Sequence, residues 1–211
     1  MNKIRFRYTK TGKAKFISHL DLMATMQRAL LRSGVELKYS EGFNPHPYMS
    51  VALPLPVGCS SECELLDVGL ADDRIPDIGK ITLPEGITIT EAYKPSRKFN
   101  DIAWVDICWR LYFNDRDDTE IKSRLEQCFS ADSIIVSKRT KRLIKDLDIA
   151  PFIKDFKVCC DKDVLVNAKI SAQNPTISPT DLESAVEKEI KPDFTEIKRI
   201  DIYNSNMVIF K

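Results

Sequence analysis

The sequence of 211 residues is short of several things. No stretch reaches the roughly 18 consecutive apolar residues of a membrane span, so no membrane partner is expected. The first residues, Met1-Asn2-Lys3-Ile4-Arg5-Phe6-Arg7, alternate in polarity and contain no apolar signal core, which predicts a cytoplasmic protein. A phosphate-cradling glycine loop and a dinucleotide-binding fingerprint are both missing, which removes the common nucleotide-binding classes. Histidine occurs only at His19 and His46, so any imidazole chemistry has two candidates. An excess of either charge is also missing: 32 Lys and Arg stand against 31 Asp and Glu. Hydrophobic residues at 43% and charged residues at 30% are ordinary for a globular chain and exclude a collagen-like or largely disordered one.

The balanced total hides an uneven distribution. Residues 1–50 carry nine Lys and Arg against Asp21, Glu36 and Glu41, and six cations (Lys3, Arg5, Arg7, Lys10, Lys13, Lys15) precede the first acid. Residues 51–93 reverse the sign, with eight acids against Arg74 and Lys80. A dipolar first half follows, and a nucleic-acid partner is not excluded by the net charge of +1.

The six cysteines have neither zinc-ribbon nor thioredoxin-like spacing. Cys59-x3-Cys63 matches the first two positions of the CxxxCxxC motif that holds a radical SAM iron–sulfur cluster, but the third position is Leu66. No metal ligand set and no cofactor are therefore expected in this chain. The vicinal pair Cys159-Cys160 reads as two neighbouring strand residues.

Hydrophobic periodicity orders the elements. Residues 3–8 alternate basic and apolar and predict a strand. Residues 13–17 continue extended, and Ser18 with Asp21 three positions on predicts the capped start of a helix that ends at Gly34. Leu20, Met23, Met26, Leu30 and Leu31 form its expected buried side, with His19 at the helix mouth facing the protein body. Strands follow at 35–39, 48–55, 63–70 and 87–93, with a proline-clamped loop at 40–47 and at most a short helix in 71–86. Strand, helix, strand, strand, short helix or loop, strand is the split βαβ or ferredoxin-like plan. The second half repeats it, with strands at 103–113, 133–138, 155–161, 163–170, 195–203 and 206–210, and helices at 118–129 and 178–190. The expectation is an α+β protein of two tandem ferredoxin-like domains with antiparallel sheets, 1–94 and 99–211, joined through 94–98.

Side chains capable of chemistry are densest between positions 13 and 48: Lys13, Lys15, Ser18, His19, Asp21, Tyr39, Glu41, Phe43, Asn44, His46 and Tyr48. If the first strand–helix junction and the loop at 40–47 lie together, residues 13–21 and 39–47 line one cleft. His19 and His46 could then act as general acid and base, or hold a metal with Asp21. The plainer reading is one hydrogen-bonded histidine and one loop histidine. Binding without chemistry is the other use of these residues. Arg5, Arg7, Lys13 and Lys15 with Tyr39, Phe43 and Tyr48 offer cations and aromatic faces of the kind single-stranded RNA needs. A second basic run, Lys138-Arg139-Thr140-Lys141-Arg142-Leu143-Ile144-Lys145, could meet phosphates or be a solvated loop.

Three segments in order resemble a known signature: Phe16-Ile17-Ser18-His19-Leu20-Asp21-Leu22, then Arg28-Ala29-Leu30-x-Arg32-x-Gly34, then Tyr39-Ser40-Glu41-Gly42-Phe43-Asn44-Pro45-His46-Pro47. With Ala52-Leu53-Pro54-Leu55-Pro56-Val57-Gly58, Glu62 and Asp67, they are similar to the N-terminal region of the radical SAM-linked protein family, a bacterial domain of unknown function. That resemblance implies an accessory module that binds substrate, RNA-related, or a partner, for a radical SAM enzyme of the cobalamin-binding type. The partner would carry the iron–sulfur cluster and SAM. A weaker likeness, to CRISPR repeat-processing endoribonucleases, would make His19 and His46 an acid–base pair. A third reading is a protein–protein adaptor that uses the acidic surface of 62–91.

Overall fold

The computed structural model describes residues 2–114, 118–139, 144–160, 163–186 and 190–211. They form a mixed α+β structure with few helices and antiparallel pairing in every described strand pair. Cα packing divides the chain into two units, Met1–Asp101 with Lys211, and Ile102–Phe210. No helix among the described residues is long and apolar enough to cross a membrane.

Alternation along the N-terminus produces β1 (Asn2–Lys10), the centre of the first unit's sheet. It pairs antiparallel with β3 (Ser60–Leu70) on one side and β4 (Ile87–Tyr93) on the other, and β2 (Met49–Val51) pairs with β3. The order is therefore β4-β1-β3-β2. Ile4, Phe6 and Tyr8 on one face of β1 pack with Leu66, Val68 and Leu70 of β3 and with helix α1 (His19–Arg32). Burying such side chains contributes about 1.5–3 kcal/mol each.

α1 starts and stops as its sequence dictates. The Ser18 hydroxyl accepts from the Asp21 amide at 3.1 Å and donates to the Asp21 carboxylate at 2.7 Å. At the other end Gly34 takes φ +75°. The Val35 amide bonds the Leu30 carbonyl and the Gly34 amide the Leu31 carbonyl, both at 3.1 Å, the paired closure of a glycine-terminated helix. The buried line differs from expectation. It is Leu22, Met26, Ala29 and Leu30, while Leu20 and Leu31 are exposed. Leu20 lies about 200° around the helix from Leu22, so only one of them can face the sheet.

Two further expectations of this unit are corrected. Residues 13–17 are not extended: Gly12–Phe16 form a 3-10 turn. β2 is shorter than 48–55, because Leu53 takes φ +46° and the prolines at 54 and 56 have no amide to donate.

In the second unit β5 (Ile102–Tyr112) pairs with β10 (Phe194–Asn204) and with β9 (Val164–Ser171), which pairs with β8 (Ile153–Cys160). α2 (Asp118–Phe129) and α3 (Pro179–Val186) supply Ile121, Leu125, Leu182 and Val186 to its core. A separate ribbon, β6 (Ile135–Arg139) with β7 (Ile144–Asp148), interrupts this unit; the second of its strands was not expected. Four residues of the basic run (140–143), residues 161–162 where the strands expected at 155–161 and 163–170 meet, and the helix end at 187–189 lie outside the described residues. The six cysteines are all described and form no disulfide.

Candidate functional site

Residues 10–21 are built as a rigid platform on the first unit. The Thr11 amide donates to the Gly86 carbonyl at 2.8 Å, and Gly86 takes φ +88°. A Cβ there would stand 2.4 Å from the Thr11 carbonyl oxygen, so the turn can approach only glycine. Ala14 points inward and is buried. Gly58 donates its amide to the Lys15 carbonyl at 2.9 Å, which ties the loop ahead of β3 to the same turn. Lys10 is buried, and its ammonium donates to the Ile17 carbonyl at 3.1 Å. Burial holds the Lys10 pKa below the ordinary lysine value, against the opposing pull of Glu64 and Cys59. Lys10 is thus a structural tie and not one of the surface cations counted in the sequence.

This platform leaves an unusual set of side chains in water. Phe16 is 63% exposed, Leu20 77% and Val57 61%. Lys13 is exposed, and the Lys15 ammonium stands 5.2 Å from the Phe16 ring centroid. His19 opens α1, exposed to solvent instead of facing the protein body, and its imidazole makes no hydrogen bond among the described residues. The Asp21 carboxylate is engaged by Ser18.

Residues 39–47 form a hairpin. Tyr39 bridges Pro47, the Ser40 amide donates to the His46 carbonyl at 2.8 Å, and the His46 amide donates to the Ser40 hydroxyl at 3.0 Å. Gly42 provides the left-handed turn at φ +115°. Tyr39, Glu41, Phe43, Asn44, His46 and Tyr48 are all exposed. The hairpin is rooted on Gly69, which accepts from the Lys38 amide and donates to the Tyr48 carbonyl. Platform and hairpin therefore join β3 at opposite ends, about 30 Å apart by strand rise. Among the described residues no hydrogen bond or ion pair joins residues 13–21 to 39–47, and His19 and His46 stand on segments rooted at different ends of β3.

The remaining predicted residues divide. Arg5 is fully buried: its Nε and Nη2 donate to the two Asp67 carboxylate oxygens at 2.7 and 3.0 Å. Nη2 also donates to the Arg97 carbonyl at 3.0 Å, and the guanidinium carbon stands 4.4 Å from the Phe99 ring centroid. Arg5 is consequently no ligand-binding residue on the surface. Arg7 is half-buried opposite Glu91 of β4. Lys138 of the second basic run is held by Asp181 at 3.0 Å and by the Thr176 carbonyl. Cys63 and Leu66, the second and third positions of the cluster-like spacing, are both buried in β3. Among the described residues no group of three or more His, Cys, Asp or Glu side chains could hold a metal. The exposure of Phe16, Leu20 and Val57 was missed; its signal was two large apolar residues flanking a Ser-His pair.

Residues 3–188 match the family described as an uncharacterized protein conserved in bacteria (DUF2344). The chain belongs to this family. The match takes in the platform, the hairpin and most of the second unit. No curated protein matches the chain. Among solved structures, a chain of the "Crystal Structure of a Cbf5-Nop10-Gar1 Complex" is similar at 12% identity and a TM-score of 0.49. The similarity covers 92% of this chain and 48% of that one, so the chain spans about half the length of that relative.

Proposed function

We propose that this chain is a non-catalytic accessory module that binds RNA for a bacterial radical SAM enzyme in the cytoplasm, the partner holding the iron–sulfur cluster and SAM. The single observation that carries the reading is the platform itself: Lys13, Lys15 and Phe16 stand on a turn pinned by Gly86, Gly58 and the buried Lys10. Cations beside an exposed aromatic ring on preorganised backbone suit a single strand, because bases stack on the ring while the ammonium groups meet phosphates. The separate roots of the two histidine segments favour binding over acid–base chemistry, which needs the groups within roughly 3 Å of a shared proton path. The strand orders β4-β1-β3-β2 and β10-β5-β9-β8 support reading both units as variants of the split βαβ plan.

The test is fluorescence anisotropy with a labelled single-stranded RNA across a salt series. Reversing both platform lysines (Lys13→Glu with Lys15→Glu) should weaken binding at least tenfold and flatten the salt slope by about 0.7 per lost phosphate contact. Binding that ignores salt would sink the reading. RNA turnover by the isolated chain that His19→Ala abolishes would replace it with the endoribonuclease.

A further inference from the structure

The hairpin of residues 39–47 has properties the platform lacks. Phe43 is 112% exposed, more open than in an extended reference peptide, so its ring packs on nothing among the described residues. An isolated phenyl ring in water is costly in apolar surface, yet the backbone beneath it is held by three hydrogen-bonded or bridged pairs and two prolines. These pairs close the neck, 38–40 with 46–48, and Pro45 restricts the backbone two residues past Phe43, so part of the cost of presenting the ring to a pocket is met in advance.

Charge decides between occupants. Between Tyr39 and Tyr48 the only acidic or basic side chain besides His46 is Glu41. A strand of RNA would bring phosphates against that carboxylate with no lysine or arginine at the tip to receive them. A second copy of this chain is also disfavoured. The concavity beside Val35 and Ile75 is lined by Glu36, Asp72 and Asp77 together with Arg74 and Lys80; Asp72 pairs with Arg74 at 2.6 Å and Asp77 with Lys80 at 3.9 Å, so its cations are already engaged and offer Glu41 no basic rim.

We propose that the hairpin is a docking element for a protein partner, with Phe43 filling an apolar pocket on that partner and Glu41 facing a basic rim. The partner used as probe, the radical SAM protein, rests on the reading above. RNA and partner would then be held at opposite ends of β3.

The experiment measures two affinities for the full chain: for the purified radical SAM protein of the same bacterium, by titration calorimetry, and for a labelled single-stranded RNA. Phe43→Ala should weaken the protein complex at least tenfold, Phe43→Leu should retain most of it, and RNA affinity should stay unchanged. Thermal stability should also stay unchanged, since the ring is fully exposed. Glu41→Lys should weaken the complex in a salt-dependent way. If the wild-type complex forms and Phe43→Ala leaves it intact, the docking proposal fails while the accessory reading stands. If the wild-type chain does not bind the radical SAM protein, both fail. Loss of RNA binding on Phe43→Ala, or conversion of a dimer into a monomer, would overturn the proposal in favour of RNA or a second copy.

Discussion

Arg5 and Asp67, 62 positions apart, meet as a bidentate pair on the sheet face opposite α1. They are register partners on β1 and β3, and the Arg97 carbonyl and the Phe99 ring complete the cover over the guanidinium. Removing Asp67 takes the bidentate carboxylate from the buried guanidinium, whereas removing Arg5 leaves Asp67 with the part-exposed Lys3 at 3.5 Å. Asp67→Asn should cost about 3–5 kcal/mol and Arg5→Met less, because Lys3 still meets Asp67, and the double variant Arg5→Met with Asp67→Leu should recover most of the larger loss. Urea unfolding of the four proteins checks the cycle; additive single costs would show the pair is not coupled.

Gly86 controls the platform. An alanine there must accept φ +88° and a 2.4 Å approach to the Thr11 carbonyl oxygen. Gly86→Ala should lower stability by about 3 kcal/mol. Glycine at the exposed turn of residue 79, which has an ordinary φ, is the control: Gly79→Ala should shift the unfolding midpoint far less.

The start of α1 separates a structural serine from its neighbour. Ser18→Ala removes the cap on the Asp21 amide and should cost about 1 kcal/mol. His19→Ala, at an exposed position whose imidazole has no hydrogen bond, should stay within about 0.5 kcal/mol of wild type. Equal losses in the two variants would show that His19 contributes to the fold.

Asp148 closes the ribbon of the second unit. Its carboxylate accepts from the Ile134 amide at 2.9 Å and the Ala150 amide at 3.1 Å. These bonds and one from Ser133 hold its pKa below the ordinary 3.8. A carboxylate with a depressed folded pKa stabilises the protein above its unfolded value, and loses that contribution as pH falls through the folded value. Asp148→Asn should therefore be less stable than wild type at pH 7, with the gap closing below pH 3.8. A gap independent of pH would contradict the assignment.

Much of the fold could be read in the sequence, and the misreadings share a cause. α2 falls at Asp118–Phe129 as its periodicity predicts, and α1 begins and ends at its caps. Arg5 and Lys10 misled because alternation identifies a strand's two faces but not what covers each. Here residues 97–99 cover Arg5 and the turn at 12–17 covers Lys10, and neither is visible from β1 alone. In α1, Ala29 belongs to the buried line but carries too little apolar surface to reveal it. The strand Ile144–Asp148 was hidden because three of its five residues, Lys145, Asp146 and Asp148, are charged, leaving no apolar alternation to read. As for the site, the segments at 13–21 and 39–48 were singled out by composition. Their separation was not, because it depends on which end of β3 each one joins.

That attachment has a consequence for how the protein can change. Residues 36–38 and 48–51 share one lane along β3: Ala71 donates to the Glu36 carbonyl, Lys38 donates to the Gly69 carbonyl, and Met49 then pairs with Val68. The Tyr48 amide closes the neck on the Lys38 carbonyl at 2.9 Å. Residues 39–47 are thus an exchangeable cassette spliced into a continuous rail. Doubling its length would add only about 0.6 kcal/mol of closure entropy. A lineage could swap the tip to follow a changing partner while the core beneath kept its register.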